Sequence, residues 1–426
     1  DAPPDPLWSR GLGDVYKRQV YAHRVRCIKL VYEKARSWFL ANWDPSMSLA
    51  NWWRRLAESG WGYPHWPEGQ FGKDMSHEQH MEVERARVAV GAFGVPNDVS
   101  VTLVAPTLME HGPEILLDRY LEPIATGQEM WCQLFSEPDA GSDLAGLTTS
   151  AERDGDRWII NGSKVWTTGG HVSRRAVLMA RTDPQAERHS GISFFILDME
   201  QPGVSVSPLR DMTGAEEFNQ VFLHNAEVDH RDVIGGLGEG WRVAMTMLQH
   251  ERDADAVGHD GGGDVINQVD LNAPVGQVQE EQQKGGTTSG FFYATGSVKD
   301  DVTFNMVKQL ASSDDPVLGD TATKAKMHRE LLDLNSGRDL PPSVGKLLNS
   351  ALCRELRDLG FAAGPASQLS SEDSVDGGHF LKSALFAAGM SIAGGTDEIQ
   401  RNIIGERVLG LPREPSVEAN ADRKEP

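Results

Sequence analysis

Cysteine is scarce in this chain: Cys27, Cys132 and Cys353 are the only three in 426 residues. An odd number, widely spaced, does not build a disulfide framework, so a reducing cytoplasm is the expected compartment. Long apolar runs are also missing. None approaches the roughly 18 residues that a membrane-spanning helix requires. The N-terminus has no basic segment followed by an apolar one, so no secretory signal is expected. Positive charge is short as well: 41 Lys and Arg face 62 Asp and Glu, for a formal net charge of −21. Such a surface repels phosphate backbones, which argues against nucleic acid as the main partner. Two chemical signatures are absent too. "HEQH" at His77–His80 has i, i+3 spacing rather than the i, i+4 pair of a zinc helix, and reads as a solvated helix face. There is no G-x-S-x-G nucleophile elbow. No metal is expected.

What is present is a globular composition, 39% hydrophobic and 24% charged, in a chain long enough for two or three domains. Residues 1–19 crowd prolines without periodicity and read as a loose or non-native leader. From 20 to 129 the pattern is helical, with "HEQHMEVERARVAV" and "GPEILLDRYLEPIATGQ" among the segments. From 130 to 235 it changes to short β-rich runs, "RWIING", "RAVLMART", "ISFFILDM" and "NQVFLHNAEV", separated by Gly, Asp, Asn and Pro. That spacing predicts an antiparallel barrel or sandwich of about 100 residues. "GGLGEGW" has the wrong spacing for a dinucleotide fingerprint and reads as a turn before a helix. Helical periodicity returns over 236–415 and predicts a four-helix-bundle-like domain, followed by a tail at 416–426. The order of elements makes the fold class α+β. Residues 253–300 are polar, Gly-rich and weakly periodic, and fit this scheme poorly.

One block concentrates the chemistry: "WCQLFSEPDAGSDLAGLTTSAERDGDRWIINGSKVWTTGG", Trp131–Gly170. Ser136, Gly141 and Ser142 lie in a loop of small residues whose hydroxyls and amides can approach a polar ligand closely. Trp166, Thr167 and Thr168 end a β run, and an indole beside hydroxyls suits a flat heterocycle. On residues alone, the plainer reading, a surface hairpin with a core Trp, is favoured over a ligand site. Near the C-terminus, Thr396 followed by Asp397 and Glu398 reads as an N-cap and an acidic first helical turn. In "GWRVAMTMLQHER", Trp241, Ala244, Met245 and Leu248 form an apolar stripe whose spacing continues to Glu251 and Arg252. An acid at the edge of such a stripe is either paired at the helix end or used in chemistry.

These blocks carry a resemblance. "SEPDAGSD" and "INGSKVWTTGG" resemble the flavin-binding signature of acyl-CoA dehydrogenases. "GGTDEIQRNIIGERVLGLP" is similar to that family's C-terminal helix. The resemblance implies three domains, helical, β and helical, with FAD between them and α,β-dehydrogenation of an acyl-CoA thioester. It implies FAD contacts from Phe135, Ser136, Gly141, Ser142, Trp166, Thr167, Thr168, Thr396, Asp397 and Glu398. It also implies substrate contacts from Ser142, Arg252, Gly394 and Gly395. Many members carry the catalytic Glu where this chain has Gly394, and glycine cannot take a proton. The isovaleryl and long-chain types carry it on an earlier helix, directly before an Arg. "HER" matches that pair and implies Glu251 as the base. An electron-transfer flavoprotein is the implied acceptor, and a homo- or hetero-oligomer, dimer or tetramer, the implied assembly. Two other readings remain: a non-catalytic subunit of a hetero-oligomer, and a flavin oxidase or monooxygenase of the same fold.

Overall fold

The computed structural model describes residues 28–216, 218–257, 269–285, 314–335, 340–363 and 379–413. The 1–19 leader, the 416–426 tail and most of 253–300 lie outside them. The described residues divide into two compact units.

The first unit comprises 28–101, 117–129 and 269–285. Its helices are residues 28–42 (α1), Leu49–Ser59 (α2), His77–Val90 (α3), most of Glu114–Ala125 (α5) and Val275–Gly285 (α7). Ser48 caps α2 by accepting from Asn51 N, and Gly60, at φ +71°, ends it in the left-handed conformation that glycine adopts without a Cβ clash. A capping box, Ser76 with Gln79, starts α3. His77 and His80 therefore sit in a capped first turn, and among the described residues no group of three metal-ligating side chains occurs. The core is rich in tryptophan: Trp52 and Trp53 are buried, and their indole N–H groups donate to Phe93 O and Gly94 O, each at 2.9 Å. Satisfying those two donors lets the large rings contribute their apolar area without an orphaned polar atom. Val275 and Val278 of α7 are buried in this same core. Part of the segment that fits the helical pattern poorly is thus an element of the first unit.

The second unit comprises 102–116, 130–216 and the remaining described residues from 218 onward, apart from 269–285. It contains Ala105–His111 (α4) and an eight-stranded sheet. The strands are Trp131–Leu134 (β1), Ser150–Asp154 (β2), Arg157–Thr168 (β3), Arg175–Arg181 (β4), Ile192–Asp198 (β5), Val204–Leu209 (β6), Phe218–Asp229 (β7) and Val233–Ile234 (β8). Their order is β6-β7-β3-β2-β4-β5-β8, with β1 paired to β4. Most pairs are antiparallel, as the short β runs predict. β1–β4 and β2–β4 are parallel, which period-2 patterning cannot reveal.

Gly240–Val257 (α6) starts directly against β5. A Cβ on Gly240 would lie 2.5 Å from the backbone of Ser193, so only glycine permits this approach. Gly235, Gly236 and Gly238 all have positive φ and form the turn before it. Further helices follow at Pro316–Asn335 (α8), Pro342–Ala363 (α9), His379–Met390 (α10) and Asp397–Ile403 (α11). α9 packs against α6, α8, α10 and α11, and is the hub of this helical layer. The buried face of α6 is Val243, Ala244 and Met247. This corrects the expected stripe of Trp241, Ala244, Met245 and Leu248, because β5 and α9 both pack on the helix and rotate the covered arc. The 3.6-residue period runs from Ala244 through Met247 to Glu251, which is half-buried.

Candidate functional site

The Trp131–Gly170 block folds as β1, a loop, and the β2–β3 hairpin. Its hub is a pair that the sequence reading passed over. Lys164, fully buried, donates from Nζ to Glu137 Oε1 at 2.9 Å and to Phe135 O at 3.0 Å. Glu137 accepts three more bonds, from Thr148 N and Thr148 Oγ1 on Oε2 and from Thr149 N on Oε1. Burial alone would raise the Glu137 carboxyl, but the Lys164 charge and these donors hold it down at about 2. Burial lowers Lys164 to about 8, with Glu137 opposing, so both groups are charged at neutral pH. A sequence signal for Lys164 existed. Trp158, Ile160 and Lys164 share the inward parity of β3, and a lysine in that register requires a buried partner.

Around this pair stand the expected ligand contacts. Ser136 O accepts from Val165 N at 2.9 Å. Phe135 is buried, its ring edge-to-face with Phe194 at 5.6 Å, so the ring belongs to the core and its carbonyl to Lys164. Gly141 and Ser142 are exposed on the loop. Trp166 lies where β3 and β7 shift register, between Lys164 and Thr167. It has φ +62°, a left-handed conformation rare for a bulky residue. Its side chain is 56% exposed and lies edge-on to Phe218 at 5.6 Å. The alternative of a core Trp is therefore overturned: the bulge turns the indole outward. Thr167 is buried, and its Oγ1 has no hydrogen-bond partner among the described residues. Thr168 is half-buried at the end of the strand.

The second group lies at the start of α11. Gly394 and Gly395 have φ of +63° and +88°. Gln400 Nε2 donates to Gly394 O at 2.8 Å, while its buried Oε1 has no partner among the described residues. Thr396 caps the helix, accepting from Ile399 N. Asp397 is buried, with Oδ1 accepting from Lys346 Nζ and Oδ2 from Arg354 Nη1, each at 2.7 Å. Burial would raise this carboxyl, but the Lys346 and Arg354 hydrogen bonds outweigh it and the net shift is downward. Both Asp397 oxygens thus bond to α9, a tie between helices that the first-turn reading, which placed the acid against the helix dipole, did not include. Glu398 is exposed and pairs with Arg401 at 3.5 Å. Lys346 and Arg354 also escaped the sequence reading, being 51 and 43 residues from their partner.

The third group is Glu251 and Arg252 on α6. Glu251 lies on the half-buried face described above, and the Arg252 side chain lies outside the described part of the structure. The structure joins the Ser136 loop to the Trp166 bulge by direct bonds. It ties the Gly394–Glu398 segment to α9, and α9 also supports α6.

An outward-facing indole beside a buried hydroxyl at Thr167, unpartnered among the described residues, fits a flat, polar-edged ligand such as a flavin, and Gln400 leaves a second such acceptor on α11. Comparison with known proteins agrees. The profile of the acyl-CoA dehydrogenase N-terminal domain matches residues 28–128, and that of the middle domain residues 132–226. Acyl-CoA dehydrogenase IpdE1 of Mycobacterium tuberculosis is 33% identical over 373 residues, covering 85% of this chain and 88% of that protein. Two solved structures share the fold. The Tcur3481-Tcur3483 steroid ACAD has a TM-score of 0.62 at 22% identity, over 91% of this chain and 98% of that one. The ChsE4-ChsE5 complex from Mycobacterium tuberculosis has a TM-score of 0.58 at 23% identity, with the same coverage, 91% and 98%.

Proposed function

We propose that this chain, which belongs to the acyl-CoA dehydrogenase family, dehydrogenates an acyl-CoA thioester across its α,β bond, with Glu251 taking the α-proton. The observation that carries this reading is Trp166: a strained, exposed indole in the bulge between buried Lys164 and buried Thr167. Strain of that kind persists where a site needs it. Family members are FAD-dependent flavoproteins, and bound FAD supplies the two-electron acceptor. Trp166 would cover the ring, while Ser136, Ser142, Thr167 and Thr168 would offer hydroxyls and amides to its polar edges. Gly394, which replaces the acid found there in many members, keeps a backbone N–H for the thioester oxygen as it gains enolate character. Glu251 continues the half-buried face of α6, which sets a carboxylate at the edge of an apolar surface, within the protein rather than in open solvent. Arg252 would stand on the substrate side of it.

The test is a panel of acyl-CoAs, straight, branched and steroid side-chain, assayed with a dye acceptor on wild type and Glu251→Gln. Activity in wild type that falls about 10²–10⁴-fold in the variant supports the assignment. Equal activity in both refutes Glu251 as base. An electron-transfer flavoprotein is the proposed physiological acceptor, and it should replace the dye.

The assembly we propose is an oligomer. Met327, Leu331 and Leu334 lie at i, i+4 and i+7 on α8, exposed by 58%, 42% and 57%. An apolar stripe of that kind fits a second chain. A second reading, a subunit whose partner supplies the base, is favoured by Gly394 and by two-chain relatives of the same fold. Colourless protein that gains flavin and activity only with a co-expressed second chain would favour it. Peroxide formed without dye would instead favour an oxidase.

A further inference from the structure

We propose that the buried Glu137–Lys164 pair is the positioning element that sets two walls of the flavin site at once, the Ser136–Ser142 loop and the Trp166 bulge. The inference rests on the FAD reading above.

Lys164 and Glu137 are 0% and 6% exposed. A buried ion pair is seldom the most stabilising way to fill a core, since apolar side chains of similar volume do as well or better. What a fully bonded pair provides is a fixed geometry. Here every bond constrains the same small region. Lys164 Nζ holds Phe135 O, and the next amide, Val165 N, holds Ser136 O. Two consecutive carbonyls are thereby pinned as the chain leaves β1, which fixes the direction in which Ser136 departs. Glu137 then closes the far end of the loop by accepting from both Thr148 and Thr149. The Gly141–Ser142 tip is left exposed between two fixed ends.

The other wall begins at the same lysine. Lys164 is the last residue in register with β7, opposite Val221, before the shift that ends at Thr167. Trp166 therefore sits within a register shift whose two ends, Lys164 and Thr167, are both buried, and its φ of +62° is set inside that span. Removing the Lys164 charge would free the carbonyl of Phe135 and one oxygen of Glu137, and would loosen the strand position from which Val165 N holds Ser136 O. Neither residue need touch the flavin. Each acts through the segments that do.

The test titrates FAD into apoprotein of wild type, Glu137→Gln, Lys164→Met and a core control, Leu197→Ala in β5. Dissociation constants come from flavin fluorescence, apoprotein stability from thermal melts, and site geometry from the visible circular dichroism of the bound flavin. Glu137→Gln should bind FAD about tenfold more weakly, the loss expected when buried hydrogen bonds of a positioning group are broken, and should change the flavin dichroism. Lys164→Met should do the same more strongly. Should Lys164→Met fail to fold, Glu137→Gln decides the matter, because its side chain keeps the shape. Leu197→Ala should lower the melting temperature while leaving FAD affinity and dichroism unchanged. FAD affinity and dichroism in Glu137→Gln that match wild type, or that change no more than in a destabilised Leu197→Ala, would overturn the proposal. Wild-type protein that binds no FAD, alone or with a co-expressed second chain, would instead overturn the dehydrogenase reading itself, and this inference with it.

Discussion

Asp397→Asn isolates the second anchor of the site, and its size can be worked from the geometry. The substitution preserves shape and removes one charge from a buried carboxylate whose two oxygens each accept a bond at 2.7 Å. Lys346 is 5% exposed, so it would be left charged and nearly dry. The Arg354 side chain is 33% exposed and can turn to water, which softens its share. Breaking a buried pair on one side typically costs about 3–5 kcal/mol. With only one partner fully stranded, the low end applies, about 3 kcal/mol. At roughly 2–4 °C per kcal/mol for domains of this size, the melting temperature should fall by about 6–12 °C. Its pH dependence has a definite sign. The Asp397 carboxyl is held below its ordinary 3.8 in the folded state, so the unfolded chain takes up the proton first on acidification. The stabilisation is then fully present above the unfolded pKa and is lost as pH falls through the folded one. The gap between wild type and variant should be constant from pH 5 to 8 and close in more acidic buffer. Thermal melts of both proteins across that series measure it. A shift below about 1 °C at pH 7, or a gap that widens in acid, would refute the account of Asp397 as a buried ion-pair anchor.

Other outcomes follow from the same geometry. Trp166→Gly relieves a left-handed conformation that costs a bulky residue about 1–2 kcal/mol, so the apoprotein should melt no lower than wild type while FAD binding weakens. Calorimetry alongside FAD titration checks both halves. Glu251→Gln should leave the flavin spectrum and FAD affinity intact while turnover collapses, which stopped-flow reduction by the best acyl-CoA would reveal. Cys132 and Cys353 are buried, with their thiols pushed up to about 12. Alkylation at pH 8 should therefore modify neither in the native protein and both in denaturant, as peptide mass spectrometry would report.

Much of this was legible in the chain because it is written locally. α3 occupies the same residues as its periodic segment, since its cap, its pattern and its glycine stop are all within a few positions of one another. The β runs declared themselves through β-branched and aromatic residues between turn formers. Glu137 with Lys164, and Asp397 with Lys346 and Arg354, were illegible for the opposite reason. Their partners are brought together only by the completed sheet and by the packing of α9. The stripe on α6 was misread by about one position, because which arc of a helix is covered depends on its neighbours. Trp166 was ambiguous until the register shift in β3 decided which way it faced.

The position of α7 bears on how the protein is made. Its Val275 and Val278 complete a tryptophan-rich interior whose other members occupy roughly the first quarter of the chain. A ribosome adding about 5–20 residues per second delivers that last piece roughly 7–30 s after residue 129 has been added. During the wait the nascent segment presents an apolar face with nothing of its own to cover it. Synthesis of this chain should therefore depend on holdase capacity, and cutting it after the first helices would leave a sticky remnant rather than a domain.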